Sequence, residues 1–323
     1  MRRISLLLLL ALAFPALAAG SGKDVKLALV AYSTPKDAYT KIIPAFQKTA
    51  SGNGVSFSQS YGASGEQARA VLQGLPADVV ELSLAPDVDA LVKAHLVASS
   101  WNKNAYHGIV TRSVVVFIVR GGNPKHIRTW NDLLKSGVQV VTPNPFTSGG
   151  ARWNVMAAYG GALRAGKSPK QAVAYLSELF RKHVVAQPAS AREGLQTFLA
   201  GKGDVLLSYE NEAILAKNKG QSINWVAPKA TILIENPIAV TSSTKHAKEA
   251  KAFVKFLYTP QAQSLFAETG YRPVLKSIQR KFQFTNPRQL FTIKSLGGWT
   301  TVQKKFFDPN SSVMATIERG LGG

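Results

Sequence analysis

The feature that most constrains the fold of this sequence is an alternation of short apolar runs and amphipathic segments in the first third of the chain. Val25–Tyr32, Val55–Tyr61 and Val79–Leu84 are rich in the β-branched and apolar residues that favour strands. Asp37–Lys48 and Asp87–Leu96 carry apolar residues at helical spacing. Because strands that alternate with helices usually lie parallel, with helices on both faces, this order predicts an α/β fold with a doubly wound sheet.

The second half of the chain contains the same kind of alternation, which predicts two α/β lobes joined by two crossovers. Strand-like runs at Ser113–Arg120 and Val205–Tyr209 are separated by helical segments. We expect residues 19–112 and 236–323 to form lobe 1 and residues 113–235 to form lobe 2. A cleft between two such lobes is a favoured ligand site.

Residues 1–18 have the features of a cleavable secretory signal peptide. Arg2 and Arg3 precede an apolar run, Ile4–Phe14, that is too short to span a membrane. Ala16–Ala18 has the small residues of a cleavage site. The sequence contains no cysteine, and therefore no disulfide, thiolate metal ligand or cysteine for lipid attachment. We expect export to the periplasm without stable membrane insertion.

The strongly basic composition limits the kinds of partner that the chain can have. The formal net charge is +21, and it falls to +19 once Arg2 and Arg3 are removed with residues 1–18. Such a charge can serve binding to nucleic acid, but lysine and arginine are spread along the chain without a dense block. Together with export, this spread favours a monomer with a solvated basic surface and no nucleic-acid partner. An envelope adhesin that uses the charge is an alternative.

One stretch in the second half has the geometry of an anion-binding site. A short apolar run, Val138–Thr142, is followed by a turn-rich segment and then by helical spacing. Ser148 is placed to cap this helix, and Gly149 and Gly150 would be its first residues. The free N–H groups of a helix start attract anions, and glycine lets a ligand approach the backbone closely. An ordinary capped helix after a proline-rich turn is the alternative interpretation.

Two further segments show a similar strand–loop–helix start. Ser64 lies in a Gly-Ala-Ser-Gly loop, and Gln67 three residues later completes a capping-box pattern. Ser190 and Glu193 form a second such pattern before another helix. All three helix starts consist of Ser, Gly and Ala, without a Lys or Arg aimed at the ligand. They predict a site in which neutral hydrogen-bond donors hold the anion.

Catalytic motifs are missing from the sequence. The five histidines have no metal-ligand spacing, and no serine lies in a G-x-S-x-G motif. Glu210 and Glu212 lie at a helix start, where capping or solvated groups are more common than an acid/base pair. The sequence therefore predicts neither a catalytic residue nor a metal or cofactor. An exported ester hydrolase is the alternative from another class.

Several segments resemble the periplasmic sulfate-binding proteins of ABC importers, and the resemblance covers nearly all of the mature chain. The most specific segment is TPNPFTSGGARWN, and SYGASGEQARAV, GDVLLSYENEA and LFTIKSLGGW are also similar. The resemblance implies a type II periplasmic binding protein, whose two lobes close on sulfate and which delivers the ion to a membrane permease. Thiosulfate is the alternative ligand within this class, and molybdate a more distant one.

The resemblance also implies which residues bind the anion, through matching motifs. These residues contribute backbone N–H groups and hydroxyls from both lobes: Ser64, Ser148, Gly149, Gly150, Ala191 and Tyr209. Gly65 and Ser33 would support the site, and Arg192 matches an arginine that braces the loop at Ala191. Two positions depart from the family pattern: Tyr209 stands where many members have a tryptophan, and Ser33 where an aspartate is usual. A tyrosine hydroxyl can still donate a hydrogen bond.

A site built only of donors predicts a preference among anions. Sulfate is fully ionised near neutral pH and only accepts hydrogen bonds, whereas hydrogen phosphate carries a proton that needs an acceptor. A buried donor that faces another donor leaves both unpaired. Sites that match the hydrogen bonds of one ligand can therefore prefer it over a mismatched ligand by a factor of about 10⁴–10⁵. We therefore expect sulfate to be preferred over phosphate.

Overall fold

A computed structural model describes residues 25–320 of the chain, so the predicted signal peptide lies outside the described residues. The strands follow the predicted order, with short additions: β1 Val25–Tyr32, β2 Val55–Gly62, β3 Val79–Glu81, β4 Ile109–Arg120, β5 Val140–Val141, β6 Val184–Ala186, β7 Val205–Tyr209, β8 Ile223–Val226, β9 Ala230–Val240, β10 Arg272–Pro273 and β11 Gln289–Phe291. The helices alternate with them: α1 Lys36–Gln47, α2 Ser64–Leu72, α3 Ala85–Lys93, α4 Gly149–Arg164, α5 Pro169–Glu178, α6 Ala191–Leu199, α7 Glu210–Asn218, α8 Ala247–Leu257, α9 Pro260–Glu268, α10 Lys276–Gln279, α11 Gly298–Val302 and α12 Val313–Arg319.

The strands form two parallel groups connected by antiparallel pairs. In the order β2-β1-β3-β9-β4-β7-β5-β6, β1 lies parallel to β2 and β3, and β5 lies parallel to β6 and β7. β9 and β4 join these groups and run antiparallel to each other and to their neighbours β3 and β7. The α/β class is thus confirmed. The pairing is parallel within each group and mixed at the centre, since β4 and β9 carry the chain between the groups.

β4 and β9 are the two long strands that pass from one group to the other. Thr111–Val114 pairs with Leu233–Asn236, and the rest of β4, Val115–Val119, pairs with β7 instead. The predicted crossovers near Val110–Ser113 and Ile234–Pro237 therefore lie in the segment where these two strands pair with each other. The division into lobes remains a prediction, and this segment is where we would place its hinge.

The C-terminal residues pack in two places. α8 and α9 contact α1, next to the first parallel group. Farther along, the ring of Trp299 packs edge-on against Trp153 of α4, with 4.7 Å between ring centroids, and Phe306 packs in the same way against Tyr159. This packing on α4 argues for assigning the tail from β11 onward to lobe 2 in the proposed division.

α4 is buried along most of its length, and small residues allow this. Nearly every residue from Gly149 to Ala162 is buried. At Gly161, a Cβ atom would lie 2.4 Å from the indole nitrogen of Trp130, and at Gly160 it would lie 2.4 Å from the ring of Phe291. Because glycine lets these aromatic rings reach the helix backbone, α4 is held on several sides and its first turn is fixed in position.

Glu81 is a fully buried carboxyl at the end of β3. The hydroxyl of Tyr39 donates to its Oε2, while Oε1 has no hydrogen-bond partner among residues 25–320. Burial raises the pKa of Glu81 to about 8, in spite of the opposing hydrogen bond from Tyr39. The neutral acid is therefore the form that the folded protein favours near neutral pH.

This buried acid predicts a pH dependence of stability. Between pH 4.5, the ordinary pKa, and about pH 8, the folded protein keeps a proton that the unfolded chain releases. The contribution of Glu81 to the free energy of unfolding should therefore fall as the pH rises through this window. We expect Glu81→Gln to gain stability relative to wild type from pH 5 to pH 8, measured by urea denaturation. Exposed Glu268→Gln controls for the change in charge, and parallel pH profiles for Glu81→Gln and wild type would contradict the prediction.

Candidate functional site

The first turn of α4 forms one side of the candidate site. Ser148 caps the helix, as predicted, and its hydroxyl accepts a hydrogen bond of 3.3 Å from the N–H of Ala151. The N–H groups of Gly149 and Gly150 donate to no acceptor within residues 25–320, although both residues are buried. N–H groups at a helix start point along the axis, away from the helix, so these two are available to a ligand.

The start of α2 differs from the predicted capping box. Ala63 occupies the cap position, Ser64 is the first helical residue, and Gln67 makes no reciprocal capping bond. The Ser64 hydroxyl donates to Asp87 Oδ2 at 2.6 Å and accepts from the N–H of Ser83 at 2.9 Å. The capping-box prediction is wrong because this hydroxyl has a long-range partner. The backbone N–H of Ser64 has no acceptor within the described part of the chain.

Gly65 fastens the start of α2 to the start of α4. Its N–H donates to the carbonyl oxygen of Thr147 at 3.0 Å, and a Cβ at Gly65 would lie 2.9 Å from that oxygen. Since Thr147 immediately precedes Ser148, this bond brings Ser64 and Ser148 to one place. The close approach requires a residue without a side chain.

The start of α6 is the third member of the site. Ser190 caps it by accepting from the N–H of Glu193 at 3.2 Å. Ala191 is the first helical residue, it is buried, and its N–H donates to no acceptor between residues 25 and 320. A Cβ at Gly150 would lie 3.3 Å from the Cβ of Ala191. The starts of α4 and α6 are therefore in direct contact.

Tyr209 is buried and lies beside Gly150 in the first turn of α4. Its ring atom Cε2 would be 2.8 Å from a Cβ at Gly150. Its hydroxyl lies 2.5 Å from Oγ of Ser83, which in turn would be 2.7 Å from a Cβ at Gly149. The residues that the sequence predicted as ligand-binding thus come together at one buried point, although their role in binding remains a prediction. We call the N–H groups of Ser64, Gly149, Gly150 and Ala191 the donor cluster.

Sequence reasoning missed two polar residues at this point, Ser83 and Asp87. The carbonyl oxygen of Ser83 accepts from the indole N–H of Trp153 at 2.9 Å and from the amide of Asn236 at 3.0 Å. Asp87 lies 3.7 Å from the guanidinium of Arg152, and its burial raises its pKa against the opposing effect of this cation. Both residues follow the carboxyl end of β3. This position, where ligands often bind in α/β sheets, was the signal that could have found them.

Arg192 connects the start of α6 to the loop after β1. Its guanidinium makes two hydrogen bonds to Glu212, of 2.8 and 2.9 Å, and further bonds to Asp37 at 2.6 Å and the Thr34 carbonyl at 3.1 Å. Its backbone N–H donates to Oγ of Ser33 at 3.4 Å. The two supporting residues that the sequence predicted here, Ser33 and Arg192, are therefore neighbours, and they hold α6 in place.

The interpretation of Glu210 and Glu212 as capping or solvated groups is wrong. Both carboxylates are fully buried. Glu210 pairs with Arg272 at 2.6 Å, and Glu212 pairs with Arg192 at 2.8 Å. Burial raises the pKa of Glu212, although the arginine acts in the opposite direction. The partners are distant in the sequence, so local spacing could not identify these ion pairs.

Two further searches cover residues 25–320. From residue 25 to residue 320, no three His, Cys, Asp or Glu side chains gather in a way that could hold a metal ion. No helix in that range combines the length and the apolar character needed to cross a bilayer. What the site offers is a set of buried donors from three helix starts, to which a compact anion is complementary.

An enclosed donor site between two groups of parallel strands, with β4 and β9 passing between them, defines a solute receptor of the type II periplasmic binding class. Comparisons with known proteins agree: the profile described as bacterial extracellular solute-binding protein matches residues 27–272. The chain belongs to this family and, within it, to the sulfate-binding proteins.

Three relatives illustrate the match. The sulfate-binding protein of Synechococcus elongatus is 44% identical over 89% of this chain and 85% of its own length. The thiosulfate-binding protein of Pseudomonas aeruginosa is 37% identical over 86% of this chain and 88% of its own. The solved structure of the sulfate-binding protein SubI from Mycobacterium tuberculosis superposes with a TM-score of 0.85 at 44% identity, covering 88% of this chain and all of that one.

The ion pair of Arg192 predicts a large effect on stability. Arg192→Ala would leave the carboxylate of Glu212 buried without its partner, which typically costs about 3–5 kcal/mol. We expect the free energy of unfolding, measured with urea, to fall by this amount. The control is Lys41→Ala, which removes an exposed ion pair with Glu268 and should cost less than about 1 kcal/mol. Equal losses for the two variants would contradict the prediction.

Proposed function

We propose that this protein is a periplasmic receptor that captures sulfate at the donor cluster and delivers it to the permease of an ABC importer. The observation that carries the proposal is the convergence of buried N–H groups, with no acceptor within residues 25–320, from the starts of α2, α4 and α6. Such groups are costly to bury unless an acceptor meets them. A compact oxyanion supplies several acceptors at once.

The same donors support selectivity for a fully ionised anion. Sulfate accepts hydrogen bonds on all four oxygens, and the positive ends of three helices favour its charge. Hydrogen phosphate would need an acceptor for its proton. The carboxylate nearest the site, Asp87, already accepts from Ser64 on one oxygen and faces Arg152 with the other. Both oxygens are thus directed to partners within the protein, so a hydrogen bond from phosphate would have to compete with them, and the site favours sulfate over phosphate.

Capture and delivery would use the two-lobe architecture. In this proposal lobe 1 and lobe 2 close over the anion by bending at the paired segments of β4 and β9, and the closed form docks on the permease. Residues 1–18 would direct export and be removed, leaving a monomer in the periplasm. The protein binds and releases its ligand without catalysing a reaction.

Thiosulfate is a second candidate ligand. The thiosulfate-binding relative is 37% identical to this chain over 292 aligned residues, and thiosulfate is a dianion of similar shape that also carries no proton near neutral pH. The terminal sulfur of thiosulfate is a weaker hydrogen-bond acceptor than oxygen. A site made of N–H and O–H donors should therefore bind thiosulfate less tightly than sulfate.

A thermal-shift panel tests the proposed ligand. A ligand that binds only the folded protein adds about 2.7 kcal/mol to its stability at a concentration 100-fold above Kd. We expect sulfate to raise the Tm most, thiosulfate less, molybdate and phosphate little, and chloride not at all. A shift with phosphate as large as with sulfate would refute the donor-only selectivity, and no shift with any of the anions would refute the proposed function.

The close contact at Gly150 gives a sharper test of the site. In Gly150→Ala the new Cβ would lie 2.8 Å from the Tyr209 ring and next to the Ser148 hydroxyl. We expect sulfate affinity, measured by calorimetry, to fall by at least about tenfold, which corresponds to 1.4 kcal/mol. The matched control is Gly194→Ala in α6, whose Cβ would make ordinary contacts of 3.4 Å with Leu206. If both variants bind sulfate like wild type, the first turn of α4 is not the binding site.

A further inference from the structure

A pair of buried hydroxyls from Ser83 and Tyr209 lies beside the donor cluster. Ser83 follows β3 in the first parallel group, and Tyr209 ends β7 in the second. Their oxygens are 2.5 Å apart, and both residues are 1% exposed. Two hydroxyls in contact contain two hydrogens, of which one is used between them. The other O–H group is left for a third partner.

Either hydroxyl of the pair could donate to the other, and Asn236 lies next to them. Asn236 donates from Nδ2 to the Ser83 carbonyl at 3.0 Å, while its Oδ1 accepts from Thr111 at 3.2 Å. Burial raises the pKa of Tyr209, so the phenol is protonated near neutral pH and has an O–H group to donate. When the phenol O–H donates to Ser83, the O–H of Ser83 is left for a partner on the side of Gly149.

The position of Ser83 suits it to contact the ligand. Its Oγ would lie 2.7 Å from a Cβ at Gly149, whose N–H belongs to the donor cluster. Three bonds fix the Ser83 backbone: its N–H donates to Ser64, and its carbonyl accepts from Trp153 and Asn236. A side chain held in this way donates with little loss of conformational entropy on binding.

We propose that the Ser83 hydroxyl is a direct donor to the bound anion and that Tyr209 is a positioning residue that holds it. Tyr209 acts through Ser83 and does not itself contact the anion. The assignment rests on the proposed function and specifies which side chain completes the site.

Calorimetry with sulfate on single and double variants tests this assignment. A hydrogen bond to a charged group contributes about 1.5–3 kcal/mol, so Ser83→Ala should weaken sulfate binding by about 10- to 100-fold. Tyr209→Phe should weaken it less, by up to about tenfold, because Ser83 keeps its O–H and loses only its orientation. The double variant should bind like Ser83→Ala alone, since a residue that acts through Ser83 has no effect without it.

Controls separate this proposal from its alternatives. Ser208→Ala removes a buried hydroxyl that has no partner among residues 25–320 and should leave affinity unchanged. Thermal unfolding without sulfate verifies that each variant folds. If Ser83→Ala does not fold, Ser83→Cys replaces it, because the thiol has a similar size and is a weaker hydrogen-bond donor. A loss in Tyr209→Phe as large as in Ser83→Ala, or additive losses in the double variant, would overturn the assignment. Wild-type protein that binds no sulfate would instead overturn the proposed function.

Discussion

The structure depends on one constraint: backbone N–H groups that are buried at helix starts need an acceptor. A buried donor without a partner costs about 1–3 kcal/mol, and Ser64, Gly149, Gly150 and Ala191 each supply one that no acceptor within residues 25–320 meets. Much of the surrounding structure holds these groups together, from the Gly65 bond to Thr147 to the close packing of α4. A compact oxyanion that meets them all would remove the whole cost.

The charged side chains near the donor cluster lie around it and are not part of it. The chain carries a formal charge of +21, yet the groups at the donor cluster are neutral. Two ion pairs flank it, Arg152 with Asp87 and Arg192 with Glu212. Such pairs orient helices and loops while leaving neutral donors for the ligand. In the proposed site, this separation would let a strongly basic protein hold an anion by hydrogen bonds without a cationic clamp.

Much of the fold and part of the site could be predicted from the sequence. The features that could be predicted depend on neighbouring residues, whereas those that could not depend on partners far away in the sequence. The cap at Ser148 and the strand β7 follow from neighbouring residues, so local patterns identified them. The partners of Ser64, Glu210 and Glu212 lie 19 to 75 residues away in the sequence, so the capping and solvation predictions for these residues were wrong. Ser83 was missed for the same reason, because only the fold places it opposite Tyr209.

Two adjacent strands, β4 and β9, carry the chain between the two parallel groups and are hydrogen-bonded to each other. A single connecting segment would allow rotation about its own axis, but a bonded pair of strands resists shear and torsion and retains mainly one bending coordinate. Closure would then follow a nearly fixed trajectory, and the entropy lost in bringing the helix starts to the anion would be small. The accuracy with which Ser83 meets Tyr209 would thus be set by the mechanics of the connection as much as by the chemistry of the hydroxyls.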